Sequence, residues 1–98
     1  MRLALLSALL LAGAAQADSP NSWDAFRAEM EAICRALATA QAGAGEAAVE
    51  VNPFGSESYG VALVTLTTAQ GTDRMACVLD KRTRAAELTA PFAPPPEG

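Results

Sequence analysis

Between Gly43 and Gly45 the spacing of apolar residues changes from one that suits a helix to one that suits strands, and this switch most restricts the possible folds. Before it, "NSWDAFRAEMEAICRALATAQA" (21–42) repeats Trp23, Phe26, Met30, Ile33, Cys34 and Leu37 at helical intervals, with Asp24, Arg27, Glu31 and Arg35 on the other side. The pattern predicts an amphipathic helix. Asn21 or Ser22 is placed to cap its start, and with Asn21 as the cap Asp24 takes the acidic position of a capping box. Glu31 and Arg35 stand i, i+4 in the favourable order. The two glycines supply the backbone freedom that a terminating helix uses.

Beyond the glycines, "AAVEVN" (47–52), "YGVALVTLTT" (59–68), "RMACVLD" (74–80) and "RAAELT" (84–89) are rich in Val, Thr, Leu and Tyr and are bounded by turn residues. They read as strands. The connections "NPFGSES", "AQGTD" and "KRT" are short enough to join antiparallel neighbours. The expected class is therefore α+β, with one N-terminal amphipathic helix packed on a small antiparallel sheet of three to four strands. Residues 18–90 would form this single domain, and the proline-rich 91–98 a flexible tail without the donors or apolar pattern to join a sheet.

Residues 1–17 have a different character. Arg2 precedes an uncharged apolar stretch from Leu3 to Ala15, then Ala15-Gln16-Ala17, which together have the layout of a secretory signal peptide cleaved after Ala17. The apolar stretch is short for a membrane span, and no cysteine lies near the cut to carry a lipid. The remaining chain, about 80 residues, fits one small domain that benefits from a covalent staple or a partner. Its expected place is the periplasm or the extracellular medium, with no membrane insertion after cleavage.

In an oxidising compartment the two cysteines, Cys34 and Cys77, have one intramolecular pairing open to them. Cys34 lies on the apolar stripe of the helix, and Cys77 shares a strand face with Met75 and Leu79, the face expected to meet that helix. A structural disulfide follows. A redox pair would show closer cysteines, and a zinc site would need further ligands from a chain that contains no histidine. No metal or other cofactor is expected.

The lack of histidine also removes imidazole acid–base and triad chemistry. Carboxylate pairs such as Glu29 with Glu31 or Glu50 with Glu57 have no spacing that sets them across a cleft, and "AGAGE" lacks the pattern of a nucleotide loop. The chain therefore reads as noncatalytic. With eleven acidic and seven basic residues, one of the seven in the leader, it is an unsuitable partner for nucleic acid or anionic lipid. Candidate partner-binding residues are Phe54 in "NPFGSES", Tyr59 at the head of the second strand, and the basic turn residues Lys81, Arg82 and Arg84.

The order of helix, strand, "YGVALVTL", polar turn and "ACVLDKRTRAAEL" resembles the PepSY domain, a small exported or membrane-exposed α+β module, over roughly residues 22–89. Tyr59, Asp80 and Thr83 stand where that family's pattern wants Tyr, Asp and Thr, whereas Arg84 replaces its usual glycine and the two cysteines are foreign to it. The resemblance implies a noncatalytic module that binds or restrains a peptidase or another envelope protein. The residues themselves point to an exported binding or inhibitory module that takes a protein partner at an open strand edge. The alternative is a structural accessory subunit or homo-oligomer of the bacterial envelope, because Val61 and Leu63 on one side of the second strand match Val64 and Leu66 on the other.

Overall fold

A computed structural model of the chain describes residues 20–42 and 45–93. The expected leader and its cleavage point at Ala17 lie outside the described residues, as do residues 94–98 of the tail. One helix, α1 (Pro20–Ala42), is followed by four strands, β1 (Glu46–Val51), β2 (Tyr59–Thr68), β3 (Gly71–Asp80) and β4 (Ala86–Leu88). All neighbouring strands are antiparallel and the sheet order is β1-β2-β3-β4. This is the expected α+β class, with the helix on one face of the sheet.

The helix starts earlier than its sequence suggests. Pro20 occupies the first turn, where its missing N–H costs nothing, so Asn21 and Ser22 lie within the helix rather than ahead of it. Asp24 then cannot serve a capping box, and its carboxylate instead pairs with Arg27 at 2.7 Å. Glu31 and Arg35 make the expected i, i+4 pair, also at 2.7 Å. Arg35 reaches further and donates to the Ala47 carbonyl on β1.

Phe26, Met30, Cys34 and Ala38 form the buried stripe of α1, with Trp23, Ile33 and Leu37 at its margins. The sheet answers with Ala62, Val64 and Leu66 of β2 and Met75, Cys77 and Leu79 of β3, while Ala47, Val49, Val51, Ala86 and Leu88 complete the layer. Alternation along each strand puts these residues on the helix side and their neighbours on the other. Gly60 permits close approach, since a Cβ there would stand 2.7 Å from both Met30 Sδ and Phe26 Cζ.

Cys34 and Cys77 are joined by a disulfide with Cα atoms 5.9 Å apart, within the usual span of such a bridge. Both residues are completely buried. The bond therefore links the centre of the helix to an inner strand, as their shared apolar setting implied.

Two strand boundaries differ from the sequence reading. Only Ala69 and Gln70 turn the β2–β3 hairpin, because Gly71 at φ +132° pairs directly with Thr68 and lets β3 begin three residues before Arg74. At the other end, Arg84 is left-handed at φ 68° and donates its amide to Asp80, so the turn absorbs Arg84 and Ala85 and β4 starts at Ala86. Past β4 the chain stays alongside β3, with the Thr89 amide donating to Ala76 and the Phe92 amide to Arg74.

Candidate functional site

Phe54, Tyr59, Lys81, Arg82 and Arg84 are brought to one end of the sheet, where the β1–β2 loop (residues 52–58) meets the β3–β4 turn (residues 81–85). The Lys81 amide donates to the Ser58 carbonyl across this junction. Within the end, however, the five side chains serve different ends.

The loop is built by local hydrogen bonding. The Asn52 side-chain oxygen accepts from the amides of Phe54 and Gly55, at 3.2 and 2.8 Å. Gly55 adopts φ +70°, and a Cβ there would meet the Tyr59 carbonyl oxygen at 2.2 Å. This turn presents the Phe54 ring to α1, edge-on to Trp23 with centroids 5.0 Å apart. Arg27 lies over the same ring and donates to the Pro53 carbonyl. Phe54 is thus docked on one side and 55% exposed on the other.

Lys81 is committed within the fold. Its ammonium donates to the carbonyls of Phe54 and Ser56 at 2.9 and 2.7 Å, and lies over the rings of Trp23 and Phe26 at 5.2 and 5.4 Å. One charge therefore ties loop, turn and helix together. Arg84 leans to the helix, 3.8 Å from Glu29. Arg82 remains exposed, and Tyr59, 46% exposed, borders with it a shallow recess that also includes Glu57, Ser58 and Asp80.

Asp80 organises the turn. Its carboxylate accepts from the amides of Thr83 and Arg82, and these bonds, aided by the Arg82 charge, hold its pKa below the ordinary aspartate value. Its own amide and carbonyl close the hairpin with Ala85 and Arg84. Through Oδ1 the carboxylate is a turn former, and its pKa shift is explained by these turn bonds.

Sequence reasoning passed over Leu63 and Phe92 as site residues. Both lie on the sheet face that the helix leaves uncovered, 50% and 48% exposed, with Tyr59 on the same face. The alternation in "YGVALVTL" carried the signal for Leu63. Phe92 had none, since its place depends on the backbone bond to Arg74.

β1 is the outer strand on one side. The Asn52 amide donates to Val61, so by antiparallel alternation Glu46, Ala48 and Glu50 bond to β2 while Ala47, Val49 and Val51 turn their amides and carbonyls outward. Arg35 takes the Ala47 carbonyl, and among the described residues no strand pairs with the outward groups of Val49 and Val51.

No known family model, curated protein or solved structure matches the chain. Among the described residues, no three metal-ligating side chains are grouped to hold an ion, and no helix is long and apolar enough to cross a membrane.

Proposed function

We propose that this chain is an exported, noncatalytic binding module that holds an extended segment of an envelope protein along the outer edge of β1. The observation that carries the proposal is the pair of outward-facing residues Val49 and Val51, whose main-chain groups continue directly into the loop bearing the half-exposed Phe54. A strand added there would gain main-chain hydrogen bonds from the edge and a side-chain contact from Phe54. The buried disulfide fits an oxidising compartment, and the leader-like residues 1–17 supply the route to it. A peptidase is the partner that the PepSY resemblance implies, and occupation of its extended segment would restrain it.

The edge is tested by Val49→Pro. Proline removes an amide that faces away from β2 and leaves the β1–β2 ladder intact, and circular dichroism of the variant matching wild type establishes that the fold survives the lost Val49 packing. Protein captured from an envelope extract by the wild-type chain should bind the variant roughly tenfold more weakly. Phe54→Ala should weaken it in the same direction. Equal binding by wild type and Val49→Pro would overturn the edge reading, as would an extract that yields no partner above background.

A further inference from the structure

The face of the sheet opposite the helix carries two exposed aromatic side chains at its opposite ends, each beside a recess. Tyr59 borders one recess with Val78, Asp80 and Ala85. Phe92 borders the other with Leu63, Thr65 and Arg74. Between them, the strand register sets Leu63 beside Ala76 and Val61 beside Val78, an apolar centre four residues wide. Arg74 lies opposite Thr65 at the Phe92 end, and Asp80 opposite Tyr59 at the other.

This arrangement is complementary to itself. Consider a two-fold axis running between two facing sheets, perpendicular to the strands and crossing β2 midway between Val61 and Leu63. It sets Leu63 of one copy over Val61 of the other and Ala76 over Val78, because the register pairs these residues in the same two rows. The same operation sets Arg74 over Asp80 and Thr65 over Tyr59. Each Tyr59 ring then enters the recess beside the other copy's Phe92, and each Phe92 enters the recess beside the other copy's Tyr59. Glu50 meets Asn52 and Glu87 meets Thr89, so no carboxylate faces another. A single operator satisfies the apolar centre, both aromatics and the opposite charges at once.

We propose that this face is an isologous dimer interface, and that a second copy of this chain covers it. The proposal is independent of binding at β1, whose edge stays accessible when the faces are stacked. From strand spacing and rise, the contact covers roughly 15 by 20 Å of sheet per copy. With the relief of the aromatic side chains it lies near the low end of specific interfaces, about 1,000 Å² in total. The dimer should accordingly be concentration-dependent, with dissociation in the micromolar range.

Sedimentation equilibrium of the purified chain, from micromolar to hundreds of micromolar, tests this. The expected result is a reversible rise from the mass of one copy to that of two. Leu63→Glu and Phe92→Ala should each raise the dissociation constant at least roughly tenfold. Arg74→Glu, which places a carboxylate opposite Asp80, should do so as well. Ala32→Glu, on the exposed side of the helix, should not alter it. Circular dichroism of the variants at low concentration, matching wild type, establishes that the monomer is intact. A single-copy mass throughout the range would overturn the proposal. So would a dimer indifferent to all three face variants, which would place the contact elsewhere.

Discussion

At the residue scale, the β3–β4 turn contains both a strain and its compensation. Arg84 is the one non-glycine residue with positive φ among the described residues, and left-handed backbone disfavours a side chain by about 1–2 kcal/mol. Arg84→Gly removes that penalty, loses a distant contact with Glu29, and adds freedom to the unfolded chain. The expected net gain is about 0.5–1 kcal/mol, read as a rise in Tm of roughly 3–6 °C. The compensation is Asp80, whose carboxylate accepts from the Thr83 and Arg82 amides and so has a lowered pKa. A carboxyl more acidic in the folded state than in the unfolded one contributes stability that is complete above the unfolded value and fades as pH falls through the folded one. Denaturation followed from neutral pH down to about pH 2 should show this loss below the ordinary aspartate range. Asp80→Asn keeps an oxygen acceptor without the titration, so its stability should fall less steeply over the same acid range. An unchanged slope would remove Asp80 from the account.

Among elements, the helix is held to the sheet by a buried stripe and one covalent bond. Cys34 and Cys77 are 43 residues apart, and closing a loop of that length restricts the unfolded chain by about 4 kcal/mol in the chain-entropy account. For a domain this small that is a large share of the usual net stability. Replacing both cysteines with Ala should lower the midpoint of chemical denaturation by a corresponding amount, with the far-UV signature of α1 and the sheet retained in mild conditions. A loss under about 1 kcal/mol would mean that apolar packing alone holds the helix in place. The elements were legible because their determinants are local. Trp23 to Leu37 repeat at helical spacing, and β2 alternates without interruption. Their ends were less so. The first turn of α1 includes Pro20, three residues ahead of the apolar pattern that begins at Trp23, and the start of β4 is set by the left-handed Arg84, a conformation that its residue type gives no reason to expect.

For the whole molecule, one helix covers one face of four strands, and among the described residues it leaves the far face and the outer edge of β1 uncovered. The sequence displayed part of this in Val61 and Leu63, which alternate against Val64 and Leu66. It showed that β2 is apolar on both sides, but only the packing of α1 decides which side is covered. The residues gathered at the loop end were likewise visible as types and not as roles. Lys81 looked like surface charge in a basic turn, whereas its ammonium is held by two carbonyls and two aromatic rings supplied by segments more than twenty residues distant. Phe92 was hidden in a proline-rich run because its position comes from a long-range main-chain bond.

The complete burial of both half-cystines has a kinetic meaning. A thiol reagent in solution has no line of attack on either sulfur while α1 rests on β2 and β3, so reduction must wait for the helix to leave the sheet. Where reductant attacks faster than the helix returns, the rate at which the bond is lost counts those departures. The crosslink then becomes a clock for the separation of helix from sheet, insensitive to the fraying of either end.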